Sequence, residues 1–203
     1  MRLIILICTA IFSILILSGQ DRKEFKEKFL EAEYFFLSEE YEEAAFLYGQ
    51  LLNNDPNNAN LLFLTGACHL SSGNTIKAID LLERAVSSVS PGYREGSYRE
   101  RDAPREAFFA LGRAYHIDNR LDLAAEYYQK YKNVMQIRDV AEFEYVNKHL
   151  ESVQLARSML EDTLKVSYQP VFNDVKFLRN NYNAVFAPRD SILIFMSDKP
   201  FYK

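Results

Sequence analysis

Tryptophan is absent from this chain of 203 residues, and cysteine, histidine, proline and glycine are scarce: two, three, six and seven. Cys8 lies inside an apolar N-terminal run, which leaves Cys68 alone in the rest of the chain; no internal disulfide and no cysteine-based metal site can be built from it. Cys68 stands in "GACHL" and reads as a small buried hydrophobe. His69, His116 and His149 show no metal-ligand spacing. So few glycines and prolines argue against a loop-rich or disordered chain, and there is no Gly-rich phosphate loop and no nucleophile elbow. Basic excess is missing too: Lys and Arg total 24 against 28 Asp and Glu, for a net charge of −4. That excludes nucleic acid as the expected partner. No catalytic, cofactor-binding or metal-ligating residue is assigned; the expectation is a protein that is not an enzyme and takes no cofactor.

What is present begins with "MRLIILICTAIFSILILSGQD". One arginine, an apolar run from Leu3 to Leu17 and the small residues Ser18 and Gly19 are the layout of a signal peptide, residues 1–19. The run is short for a membrane-spanning helix, which needs about 20 residues. Leu17 occupies a place where a small residue is preferred for cleavage, so an uncleaved N-terminal anchor stays open as the alternative. The expected location is the periplasm or the outer membrane, with membrane association only through the envelope or an uncleaved N-terminus.

A repeat organises the next part. "YEEAAFLYGQLLNNDP" (Tyr41–Pro56) and "TIKAIDLLERAVSSVSP" (Thr75–Pro91) have one shape, and Ala44 and Ala78 lie 34 residues apart. A third copy, "LDLAAEYYQKYKNV" (Leu121–Val134), brings Ala124, 46 residues further on, so an insertion of 12 separates it. Each copy follows another helical segment: "FLEAEYFFL", "LLFLTGACHL" and "AFFALGRAYHI". Small residues recur at Ala32, Gly66 and Gly112, where two helices must approach closely. Bulky residues recur at Tyr48, Leu82 and Tyr128. Helix pairs with these residues at this period resemble the tetratricopeptide repeat over Phe25–Met135. The resemblance implies a mostly α-helical solenoid of three helix pairs. Lys28 and Glu31 replace expected apolar residues in the first copy, which reads as an exposed terminal repeat.

The insertion, "GYREGSYRERDA" (Gly92–Ala103), mixes arginines with carboxylates and reads as a solvated loop, with a partner-contacting loop as the alternative. Beyond the repeats, Val146, Leu150, Val153, Ala156 and Leu160 fall at helical spacing after a candidate N-cap, Asp139. They predict a closing helix, which completes a helical domain at residues 20–163. From residue 164 to 203 the pattern turns β-rich. "SILIFMS" (Ser191–Ser197) reads as a strand and "APRDS" (Ala187–Ser191) as a turn. Phe186, Ala187, Pro188, Ile192–Phe195 and Ser197 resemble one hairpin of TolB-like β-propeller repeats, although Arg189-Asp190 replaces the usual Asp-Gly. The order of signal peptide, repeats and hairpin resembles the N-terminal part of Bacteroidetes-type envelope proteins with OmpA-like domains, some of which serve gliding and type IX secretion. The tail is then the start of a truncated propeller. An isolated hairpin is marginal in water, and its open edge favours self-association.

In tetratricopeptide arrays the first helix of each pair lines the concave face. With the crossing residue as position 8, position 5 is Phe29, Phe63 and Phe109; position 9 includes Glu33 and Arg113; position 12 is Phe36, Leu70 and His116. These eight residues are the candidate groove for a protein or peptide partner, with packing between helices as the rival role for the phenylalanines. The lysine and asparagine that hold a terminal carboxylate in chaperone-binding members are absent at positions 5 and 9. Alternatively, the repeats only position a propeller or a peptidoglycan-anchoring domain, with no groove in use.

Overall fold

The computed structural model describes residues 21–135 and 140–161, and the backbone of 181–186 and 193–197. Seven helices run through the first part: α1 (21–37), α2 (Tyr41–Asn54), α3 (Ala59–Ser71), α4 (Thr75–Ala85), α5 (Glu106–Ile117), α6 (Leu121–Val134) and α7 (Val140–Glu161). The chain divides into two units, Met1–Thr163 and Leu164–Lys203.

Within the first unit the helices pack in sequence order, each against the next, and α3 also meets α5. The residues aligned by the repeat form its core. Ala32, Ala44, Tyr48, Ala78, Leu82, Ala124 and Tyr128 are fully buried. Their sizes are complementary for a steric reason. A Cβ on Gly66 would sit 2.9 Å from Leu82 Cγ, and one on Gly112 would sit 2.8 Å from Tyr128 Cδ1. The small residue of one helix thus opens the space that the bulky residue of the next one fills.

The turns inside the pairs repeat as well. Glu39, Gly73 and Asn119 all adopt positive φ, at 62°, 82° and 59°. The amide just after each one closes the helix end, as Glu40 N donates to Phe35 O at 2.9 Å, Asn74 N to His69 O at 2.8 Å and Arg120 N to Tyr115 O at 2.9 Å. This satisfies carbonyls that the helix leaves open. Between pairs, Asn58 caps α3: its Oδ1 accepts from Leu61 N at 3.1 Å.

The insertion is not a freely solvated loop. Residues 88–103 lie as a strap along α1 and α3. Ser90 N donates to Ala103 O at 3.0 Å and Ala103 N to Ser88 O at 2.7 Å, which closes the base of the strap. Tyr93 Oη donates to Asn60 Oδ1 at 3.0 Å, Asn60 N donates to Arg101 O at 3.2 Å, and Arg101 Nη2 reaches Asp55 Oδ1 at 2.7 Å. Lys26 Nζ lies 5.7 Å from the centre of the Tyr98 ring. Paired polar groups on α1, on α3 and in the turn before α3 thus hold a segment that composition alone marks as loop.

Helix α7 closes the array. Val146 and Val153 are fully buried against α6, each worth about 1.5–3 kcal/mol of apolar burial. Polar contacts at both ends fix it: Tyr131 donates to Glu142, Lys132 Nζ to Asn147 Oδ1 at 2.7 Å, and Arg157 Nη2 reaches Asp122 Oδ1 at 2.6 Å. Leu150 and Ala156 are half-buried, but Leu160 is exposed with Leu155 and Met159. The predicted apolar stripe therefore outlasts the repeat it covers by about one turn. The second unit contains two antiparallel strands, β1 (Asn181–Phe186) and β2 (Leu193–Ser197), with a register shift between Tyr182 and Val185. The expected signal peptide at residues 1–19, the candidate cap Asp139 and the expected turn at 187–191 lie outside the described residues.

Candidate functional site

The eight groove residues separate into three groups. Phe29 and Leu70 are core: Phe29 is 1% exposed with its ring edge-on to Tyr48 at 5.7 Å, and Leu70 is 8% exposed. Neither can meet a partner, which corrects their assignment to the groove. For Phe29 the reason is local, because Tyr48 on α2 fills the space beside α1 and encloses the ring.

Glu33, Phe36 and Phe63 come together at one end of the first-helix face. With Leu37, Tyr93 and Glu95 they line a cavity of about 510 Å³ between α1, α3, the strap and the start of α5. Phe36 stands edge-on to Tyr41 at 5.9 Å, while Phe63 bridges both halves of the core. Glu33 is half-buried, and its Oε1 accepts from Tyr48 Oη at 2.5 Å. Burial, with the Glu33 charge next, pushes the Cys68 thiol up to about 12 and raises the Tyr93 hydroxyl above its ordinary range. Cys68 is thus a buried, inert thiol.

Phe109, Arg113 and His116 form the other end. They share one stripe of α5 and face α7, where Tyr145 and His149 complete the cluster. The Phe109 ring lies 5.1 Å from His149, 5.4 Å from Tyr128 and 5.5 Å from Tyr145. His116 Nδ1 is 3.5 Å from Tyr128 Oη. Burial first, then Arg113 and His116, hold the His149 imidazole below its ordinary value. Phe109 is mostly covered by these rings, whereas Arg113 is exposed.

Tyr93 and Glu95 of the strap, and Tyr145 and His149 of α7, carry no mark in the repeat pattern that points to the site. The pair at i and i+4 on α7 is a signal that could have found Tyr145 and His149. The strap residues carry no such period. Among the described residues no group of three or more His, Cys, Asp or Glu could hold a metal ion, and no helix is long and apolar enough to cross a membrane.

Residues 37–95 match the family described as "Anaphase-promoting complex, cyclosome, subunit 3", and residues 96–136 match a family described as "Tetratricopeptide repeat". The helical unit has the fold of a tetratricopeptide-repeat array. Among solved structures, the Sgt2 TPR domain from Aspergillus fumigatus is similar at a TM-score of 0.51 and 22% identity, over 75% of this chain and 91% of that one. The Yersinia enterocolitica type III secretion chaperone SycD, in complex with a peptide of the translocator YopD, is similar at a TM-score of 0.53 and 15% identity, over 66% and 95%. The first TPR of Spaghetti (RPAP3), bound to the HSP90 peptide SRMEEVD, is similar at 0.50 and 19%, over 66% and 90%. At these identities the likeness is one of fold. No curated protein matches the chain significantly.

In this array the pocket end offers carboxylates and aromatic rings, and the α5–α7 end offers a guanidinium and imidazoles among rings. The two ends thus present opposite charge character beside similar rings.

Proposed function

We propose that this tetratricopeptide-repeat protein is a non-catalytic interaction scaffold, exported to the cell envelope, whose first-helix face holds a segment of a protein partner. The observation that carries the reading is the cavity of about 510 Å³ flanked by Phe36 and Phe63, on the face that α1, α3 and α5 share. A partner segment laid there gains apolar contact from the rings and orientation from the charges beside them. That SycD and the first TPR of Spaghetti are each seen with a peptide supports a peptide-like partner. The apolar run Leu3–Leu17 supports export, and the hairpin-like tail supports a place among outer-membrane or type IX secretion and gliding assemblies.

The test is recovery of cross-linked partners from envelope extract by the wild-type chain and by Phe36→Ala and Arg113→Ala variants that keep wild-type far-UV circular dichroism. Loss of the same partner bands in the variants is expected. Identical recovery sinks the reading.

A second reading draws on the antiparallel pair β1–β2: the repeats position a propeller or peptidoglycan-anchoring domain and bind nothing in the face. Deleting residues 164–203 separates the two. Under the first reading the deleted chain still recovers its partners; under the second it loses its place in the envelope while the face variants keep theirs.

A further inference from the structure

The insertion does more than join two helix pairs. It lies along α1 and α3 and builds one wall of the cavity, with Tyr93, Glu95 and Gly96 facing Glu33, Phe36, Leu37 and Phe63. The opposite wall is mainly apolar, and Leu37 at the end of α1 is 78% exposed. Glu33 sits between them with its two oxygens in different situations. Oε1 takes the Tyr48 hydroxyl; Oε2 lies 3.9 Å from where a Cβ on Gly96 would be, turned toward the strap. Among the described residues Glu33 forms no ion pair. Arg105, which also borders the cavity, reaches Glu106 at 3.0 Å and Glu142 at 3.2 Å.

The surroundings add negative charge. Residues 31–56 carry Glu31, Glu33, Glu39, Glu40, Glu42, Glu43 and Asp55 and no lysine or arginine. Burial and then the charges of Glu33, Glu95, Glu100 and Glu106 raise the Tyr93 hydroxyl, so the strap's ring stands in the combined field of four carboxylates. A half-buried carboxylate with one hydroxyl partner leaves an electrostatic deficit that a cation from outside can fill.

We propose that the strap converts this end of the face into a pocket for one cationic side chain: a lysine or arginine of the partner segment, flanked by apolar residues, whose charge meets Glu33 Oε2 and Glu95 while its neighbours lie on Phe36, Leu37 and Phe63. This rests on the reading of the first-helix face as a partner-binding surface. The pocket selects for a basic residue in an apolar context and against acidic segments.

The experiment is selection of a random peptide display library on the full chain. A synthetic peptide of the enriched sequence, amidated at its C-terminus so that no terminal carboxylate contributes, is then titrated by calorimetry. Enriched peptides are expected to carry lysine or arginine between apolar residues. Glu33→Gln, which keeps an oxygen acceptor for Tyr48, is expected to weaken the peptide about tenfold, and Glu151→Gln on α7 to leave it unchanged. Replacing the peptide's basic residue by norleucine weakens wild type by the same factor and Glu33→Gln by little more. Enriched peptides without a basic residue, or a basic peptide indifferent to Glu33→Gln, overturn the pocket. If those peptides are still weakened by Phe36→Ala, the wider reading of the face survives. No enrichment at all overturns both.

Discussion

At the α1–α3 end of the face, aromatic rings stand beside carboxylates under a strap. At the α5–α7 end, rings stand beside Arg113, His116 and His149, and helix α7 packs directly against them. One repeat builds both ends. Its invariant part is steric: a small residue against a bulky one at each crossing, and a left-handed turn inside each pair. Its variable part is the set of side chains at the outward positions of the first helices, together with the segment attached after each second helix. The backbone repeat thus fixes where side chains stand, and the substituents decide which charge each end presents.

The largest expected effect tests the steric part at both ends. Gly66→Ala and Gly112→Ala each push a Cβ into a filled crossing, and overpacking of this kind costs about 1–3 kcal/mol. Removing a helical glycine returns up to about 1 kcal/mol of it. Leu82, which meets Gly66, is a buried but branched aliphatic chain with two torsions to adjust, whereas the buried Tyr128 ring is a rigid plate held against Phe109 and His149. Gly112→Ala is therefore expected to be the more destabilising, lowering Tm by several degrees in a calorimetric scan, with Gly66→Ala closer to wild type. Equal effects would show that the crossings are interchangeable and that the α5–α7 rings add no rigidity.

A smaller effect, of opposite sign, lies in the turns. Glu39 adopts φ 62° at the strap end, where a side chain costs about 1 kcal/mol relative to glycine. Gly73 already has no Cβ, and Asn119 tolerates this region better than glutamate. Glu39→Gly is expected to gain about 1 kcal/mol in denaturant unfolding, and Asn119→Gly a few tenths. A larger gain at 119 would reverse the ranking.

The same contrast explains what could be read before the structure was known. The crossing residues were legible because close approach admits few side chains and recurs after 34 residues and then after 46, the insertion included. At Gly73 the residue type itself suits a left-handed turn, whereas Glu39, with the same backbone, carries no such signal. The strap was illegible because its anchors, Asn60, Asp55 and Lys26, lie tens of residues away and obey no period. The three phenylalanines at position 5 shared one sequence signal and met three fates. Phe29 is enclosed by Tyr48, Phe63 borders the cavity, and Phe109 is covered by α7. Which fate applies depends on the neighbouring helix, which a position within the repeat does not encode.

The smallest effect distinguishes the ends by acid. His149 is held below its ordinary value of 6.5 by burial and by Arg113 and His116. The unfolded chain therefore binds the extra proton first, and stability at the α5–α7 end declines as pH falls below that value. Glu100 behaves differently. Burial pushes its carboxyl up, but the amides of Arg101, Arg94 and Asp102 donate to it and, with the Arg94 charge, hold it below its ordinary 4.5. Its contribution is present above 4.5 and is lost only as pH falls through the lower folded value, so the strap end loosens later. Amide exchange monitored from pH 7 downward should show loss of protection around His149 first and in residues 88–103 last. The fall at the α5–α7 end should be absent in His149→Phe, which keeps the ring contacts and removes the titrating group. Simultaneous loss at both ends would mean that the array opens as one cooperative unit and that neither group sets the order.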